Sequence, residues 1–284
     1  MAAKRTVPKP DPEQEYRSAM RDAIGTQWAA VWKAMPAVIA GEDPKAVHKV
    51  RVASRRLRAA MDVAADCFPR KWYRPLHKTA KRITQALGEV RDRDVMLEAL
   101  ARDRERATEP ERRAIDHLIA GVKRDRKKAR KAMVTFLTRL EGEGVRKKTK
   151  RRFPRPKGAR AVKGDTPGAG HRKAQERGQP GEEAPHDDGG SGMGRRSSMP
   201  SLDPEASLGT NARRVLAVRV EELFGYAPII LDADASEGLH DARIATKRLR
   251  YTLEFFRSVF EDEGERAIEQ LKDLQEELGE LHDH

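Results

Sequence analysis

The chain has 284 residues, enough for one large domain or two small ones with buried cores. Its 58 Lys and Arg against 45 Asp and Glu leave a formal charge of +13, a balance that points to nucleic acid, inorganic polyphosphate or an anionic membrane surface as partner. A single cysteine, Cys67, excludes an internal disulfide and a cysteine-based zinc site.

No apolar run approaches the roughly 18 residues that span a bilayer. The N-terminal stretch holds Lys4, Arg5 and three prolines but no apolar h-region, so it is not a secretory signal. The expectation is a soluble, cytoplasmic protein without a membrane partner. More than half of the charge excess, +7, falls between Val145 and Gly209, where 15 basic residues face 8 acidic ones. Net charge therefore says little about the folded part, and the placement of the charges must carry the argument.

In chain order, residues 1–12 read as a flexible tail. Asp11 as N-cap, Pro12 and Glu13 mark a helix start, and Trp28, Val31, Trp32 and Met35 form an apolar stripe on a helix that runs to Ala40. Gly41 and Pro44 end it. A second helix is expected from Pro44 to Phe68, stopped by Pro69, and a third from Pro75 past Leu87 and Gly88 to about Ala107. Thr108, Glu109 and Pro110 give a turn with a capping signature before a long helix to about Leu140. Four helices joined by short turns argue a bundle over residues 13–141. Residues 142–205 are rich in Pro, Gly, Ser and charge, and they read as a disordered basic linker. Within it the block from Arg146 to Arg160 reads foremost as solvated chain and, on a sharper view, as an anion-binding arm. Helical patterning resumes near Leu208, with Val215, Val218, Val220 and Leu223 before Gly225, and Asp232 to Gly238 reads as a loop. A second bundle is expected over residues 206–284. The fold class is all-α.

The most informative feature is a repeat. His48-Lys-Val-Arg-Val-Ala-Ser-Arg-Arg-Leu-Arg58 matches His240-Asp-Ala-Arg-Ile-Ala-Thr-Lys-Arg-Leu-Arg250 without a gap, and the register holds through Phe68 and Phe260. Positions 47, 50, 54, 57, 61, 64 and 68 alternate steps of three and four, the mark of one buried helix face. Leu239, Ala242, Thr246, Leu249, Leu253, Phe256 and Phe260 repeat it. Ser54 and Thr246 are the polar exceptions in the two seams.

Beside each seam lies a basic row: His48, Arg51, Arg55 and Arg58 in the first copy, His240, Arg243, Lys247 and Arg250 in the second. At about 100° per residue each row spans an arc of roughly 80° and a length of about 15 Å. Like charges at this spacing repel and destabilise an isolated helix, and Arg56 and Arg248 add to the repulsion. A solvated row paired with acids of neighbouring helices would explain one copy. Two copies with the same placement favour a polyanion site. A second element, Lys81 to Asp92, aligns with Lys272 to Asp283 through Leu-Gly-Glu, and its Gly88 and Gly279 suggest close helix packing.

These residues resemble the CHAD domain, a histidine-centred α-helical family marked by a duplicated His-x-x-Arg-x-x-x-Arg/Lys-Arg-Leu-Arg helix; Leu87 to Asp94 also matches its third-helix stretch. The resemblance implies two four-helix bundles related by a pseudo-twofold axis, with basic rows facing a central groove that binds inorganic polyphosphate. Its implied ligands are His48, Arg51, Arg55, Arg58, His240, Arg243, Lys247 and Arg250, with Arg56, Arg248, Lys81 and Lys272 as secondary candidates. Binding without catalysis is expected, since no nucleophile has a recognisable base partner and no acidic cluster suits magnesium and phosphoryl transfer, with no cofactor and a place at cytoplasmic polyphosphate granules. One departure is plain: about fifty helical residues follow Asp92 but a single residue follows Asp283, so the second bundle is expected to be incomplete. Nucleic-acid binding is the alternative from composition, though aromatics are only 5% of the chain and offer no stacking platform. A metal site or a phosphohistidine at His48 or His240 is the other. Arginines surround each His, an unfavourable field for a cation. Asp92 and Asp94 are expected to pair with arginines of the rows rather than with metal.

Overall fold

The computed structural model describes residues 11–41, 44–156, 200–230 and 236–280. Residues 1–10, 42–43, 157–199, 231–235 and 281–284 lie outside the described residues. The disorder expected for 157–199 falls there. The fold is all-α. The described helices are α1 (Tyr16–Ala40), α2 (Pro44–Val63), α3 (Arg70–Arg106), α4 (Glu109–Gly142), α5 (Val145–Arg152), α6 (Leu208–Phe224), α7 (Ala227–Ile230), α8 (Ser236–Phe255) and α9 (Arg257–Glu280). A short 3₁₀ turn, Ala65–Cys67, follows α2. No helix among the described residues is long and apolar enough to cross a membrane.

The chain divides into two compact units, one of Met1–Ala23, Ala59–Tyr73 and Pro185–His284, the other of Ile24–Arg58 and Arg74–Ala184. In the first unit, α1 starts later than the capping signature suggests. Asp11 Oδ1 accepts from the Glu13 amide across a turn, and an isolated bridge ties Glu15 to Ser207 before the helix begins at Tyr16. The amides of Tyr16 and Arg17 donate to the carbonyls of Ala206 and Pro204, so donors left over at the helix start are satisfied by a distant segment. Two buried tyrosines close the end of α2: Tyr16 donates to the Val63 carbonyl (2.9 Å) and Tyr73 to that of Met61 (2.6 Å). Burial pushes both phenols far above their ordinary range and lifts the Cys67 thiol to about 12. Helix α3 begins at Arg70 and not at Pro75, directly after Pro69, whose carbonyl accepts from the amides of Trp72 and Tyr73. Pro75 then sits exposed in its second turn, removing a single backbone bond.

The same unit holds the second repeat. Leu223 of α6, Ala245, Leu249 and Leu253 of α8, and Ile268 and Leu271 of α9 form one apolar cluster. Leu239, Ala242 and Leu278 form a smaller one. Between α8 and the body of α9 the chain breaks at Glu261, with φ +41. Glu261 is the repeat counterpart of Pro69, so the break recurs in register although only one copy uses proline.

In the second unit, Trp28 and Trp32 of α1 stack at 5.7 Å. Gly41 ends α1 with φ +79, and a Cβ there would strike the Arg130 guanidinium of α4. Helices α3 and α4 run antiparallel, joined by Arg104–Asp116 (2.6 Å), Arg126–Asp94, and Arg82 over the Phe136 ring. The capping signature is realised at Thr108, whose amide and hydroxyl both donate to Glu111 Oε2. These bonds hold the Glu111 carboxyl below its ordinary range. One expectation fails here. The segment after Gly142 is not disordered at its start but forms α5, with Val145, Thr149 and Phe153 buried. Leu202, just before the second repeat, is buried as well.

Candidate functional site

The two seams fold as their spacing requires. Val47, Val50, Ser54, Leu57, Met61, Ala64 and Phe68 are all buried, and so are Leu239, Ala242, Thr246, Leu249, Leu253 and Phe256. Phe260 is partly buried against the same cluster as Leu253. The polar exceptions satisfy themselves inside their own helices. Ser54 donates to the Arg51 carbonyl (2.9 Å) and Thr246 to the Ala242 carbonyl (2.8 Å), so a hydroxyl sits in each seam without an orphaned group.

Fixing the seam fixes the row beside it. On α2, His48 is exposed, Arg55 and Arg58 are half-buried, and Arg51 is buried. The Arg51 guanidinium donates through Nη1 to Asp92 Oδ1 of α3 at 2.8 Å. Asp92 thus pairs with the row as expected, whereas Asp94 bonds Arg126 of α4 instead. On α8, His240 and Arg243 are half-buried, and Lys247 and Arg250 are buried. Arg250 donates to Glu254 one turn on (3.0 Å) and lies over the Tyr251 ring at 4.7 Å. Its Nε, like that of Arg243, is buried and has no acceptor among the described residues. A charged donor held away from water without an acceptor is costly, so each of these atoms favours an incoming anionic oxygen.

The secondary candidates divide. Arg56 and Lys81 are exposed. Arg248 is off the row: it bonds Glu222 of α6, whose buried carboxylate also holds Arg219 (2.6 Å), so its role here is to tie α6 to α8. Lys272 pairs with Glu269 of its own helix at 2.6 Å.

The repeated glycines differ in what surrounds them. A Cβ on Gly279 would lie 3.3 Å from Nη2 of Arg243, so the missing side chain leaves room for a guanidinium of the row. At Gly88 the nearest atom to a Cβ is Asp92 Oδ2 at 3.9 Å, an ordinary contact.

Concerning the alternatives, no three or more His, Cys, Asp or Glu side chains come together as a metal-holding group among the described residues. Phe68 and Phe256 are buried, and Phe255 packs edge-on against Phe256 (4.9 Å). None of the three forms an exposed face on which a base would stack.

Comparison with known proteins adds three findings. The family profile of the CHAD domain matches residues 22–284. Among solved structures, the crystal structure of the CHAD domain from the plant Ricinus communis is similar, with a TM-score of 0.62 and 23% identity over 97% of this chain and 77% of that one. Comparison with curated proteins finds no match.

Proposed function

Since the chain belongs to the CHAD domain family, we propose that it binds inorganic polyphosphate, without catalysis, through the basic rows of α2 and α8. The observation that carries the reading is the duplicated row: His48, Arg51, Arg55 and Arg58 against His240, Arg243, Lys247 and Arg250, each set beside a buried seam. Polyphosphate is a flexible string of tetrahedral anions, so its best receptor is a rigid line of donors at regular spacing. Arg supplies forked donors suited to phosphate oxygens, and His adds a charge that varies with pH. The unaccepted Nε atoms of Arg243 and Arg250 favour oxygen ligands along the α8 row.

Charge-assisted hydrogen bonds contribute about 1.5–3 kcal/mol each, so a few per row suffice for tight binding. Counterion release makes the affinity fall steeply with salt, as for nucleic acids. A cytoplasmic location at polyphosphate granules goes with this reading.

The test is a calorimetric titration with long-chain polyphosphate at low salt, comparing the wild type with Arg51→Glu combined with Arg243→Glu. Losing two charge-assisted contacts should weaken binding about a hundredfold or more. Unchanged affinity in the double variant refutes the reading. Duplex DNA displacing polyphosphate at equal phosphate concentration would assign the rows to nucleic acid, and shortening of the recovered polyphosphate on a gel would refute binding without catalysis.

A further inference from the structure

Helix α5 displays six exposed cations, Arg146, Lys147, Lys148, Lys150, Arg151 and Arg152, and contains no acidic residue. At helical spacing these charges face one another: Arg146 with Lys150, Lys147 with Lys150 and Arg151, Lys148 with Arg151 and Arg152. Such pairs repel, and an eight-residue helix has little stability of its own. Arg146 and Lys147 also sit in the first turn, where the helix dipole disfavours positive charge. By local rules this segment should be unfolded.

It folds because its remaining face is anchored. Val145, Thr149 and Phe153 recur every four residues and are buried, Phe153 to 1% exposure. The indole N–H of Trp32 donates to Thr149 Oγ1 at 3.0 Å, and the Thr149 hydroxyl donates to the Arg146 carbonyl at 3.0 Å. At Gly25 of α1 a Cβ would come within 2.6 Å of the Pro154 carbonyl oxygen, so only glycine lets the end of α5 approach. A solvated linker needs none of this. The anchoring holds six like charges in a fixed array against their own repulsion, which is what a receptor for a multivalent anion requires.

We propose that α5 is a second contact surface for polyphosphate in the unit that carries the α2 row, engaging the part of a long chain that this row leaves over, so that the protein discriminates in favour of long polyphosphate. This rests on the proposed function. The exposed face of α5 favours polyphosphate over other polyanions. Its single apolar residue, Val145, is buried, leaving none to insert into a bilayer, and the helix has no aromatic residue to stack on a base, Phe153 just after it being buried.

The experiment compares tripolyphosphate with long-chain polyphosphate on the full chain, using a variant with Lys147, Lys148, Lys150 and Arg151 each changed to Gln. Val145, Thr149 and Phe153 stay, and removing like charges should leave the melting temperature unchanged or higher, which circular dichroism checks. The expected result is an affinity for long chains lower by about tenfold or more, a salt dependence flatter by about 0.7 per lost contact, and an unchanged affinity for tripolyphosphate. Equal long-chain affinity in variant and wild type overturns the inference while leaving row-dependent binding intact. Loss of binding to duplex DNA or to phosphatidylserine vesicles, with long-chain polyphosphate affinity kept, also overturns it and assigns α5 to that partner. Failure of the proposed function looks different: no polyphosphate of either length binds the wild type, or Arg51→Glu with Arg243→Glu changes nothing.

Discussion

Replacing Asp92 with Asn should make the protein less stable and a better anion binder at once. Arg51 is buried to 6% exposure and donates to Asp92 Oδ1 at 2.8 Å, but the Asp92 side chain is 55% exposed. Solvent on that side screens the pair, so its contribution to folding is about 0.5–1 kcal/mol and not the several expected of a fully buried pair. Asn keeps an oxygen at the same place, so Arg51 keeps an acceptor and its direction, while the negative charge is gone. Folding therefore loses about 0.5–1 kcal/mol, a fall in melting temperature of about 1–4 °C for a chain of this size. Binding moves the other way. A phosphate arriving at Arg51 meets a carboxylate in the wild type, and a charge about 4 Å away costs about 1 kcal/mol in water and more near a protein surface. Removing it should raise polyphosphate affinity about fivefold to tenfold. Calorimetric titration and a thermal melt on the same preparation read both effects. Asp92→Ala serves as comparator, since it removes charge and acceptor together and lets Arg51 turn away. A fall in affinity parallel to the fall in melting temperature for Asp92→Asn would refute the view that Asp92 competes with the ligand.

The glycine beside the second row makes a paired prediction. Gly279→Ala should keep or raise the melting temperature, because Ala favours a helix by about 1 kcal/mol, yet weaken polyphosphate binding several-fold by pressing on Arg243. Gly88→Ala, whose Cβ would meet only Asp92 Oδ2 at 3.9 Å, should leave affinity within twofold of wild type in the same titration. At α5, Thr149→Val removes the buried acceptor of the Trp32 indole, a loss of about 1–3 kcal/mol. Limited proteolysis should then cut between Arg146 and Arg152 earlier than in the wild type.

The seams were legible because burial along a helix writes a period into the chain: every position from Val47 to Phe68 chosen by steps of three and four is buried. The capping box at Thr108 was legible because its donor and acceptor lie three residues apart. What escaped depends on groups far apart in sequence. The start of α1 is set by carbonyls of Pro204 and Ala206, nearly two hundred residues away, so Asp11 alone misleads. Helix α5 hid in a run whose composition reads as linker. Its buried face is only three residues, Val145, Thr149 and Phe153, and the partner that holds Thr149 from outside the segment is a tryptophan on another helix. Arg248 counted as a secondary candidate because proximity in sequence does not reveal a buried Glu222 on α6.

The arginines of this protein sort themselves by how their donors are used. Arg104, on the α3–α4 hairpin, gives Nε and Nη2 to the two oxygens of Asp116 (2.6 and 3.0 Å), a fork matched to a fork that satisfies the pair within itself. Arg248 shares the buried Glu222 carboxylate with Arg219 and is likewise engaged in holding helices together. Arg250 differs. It gives Nη1 to a single oxygen of Glu254, and its Nε remains without an acceptor among the described residues although it is shielded from water. A carboxylate that takes one nitrogen orients a guanidinium without saturating it. For a structural ion pair that geometry wastes interaction, since a buried unaccepted donor is destabilising. For a receptor it is what allows an anion to complete the fork, with the orientation cost already met by Glu254 on one side and the Tyr251 ring beneath. The same sorting separates Arg243, set against Gly279 with its Nε unaccepted, from every arginine that closes a helix-to-helix pair. Arg17 and Arg112 share the unaccepted Nε, but only Arg243 and Arg250 combine it with a place in a basic row beside a buried seam.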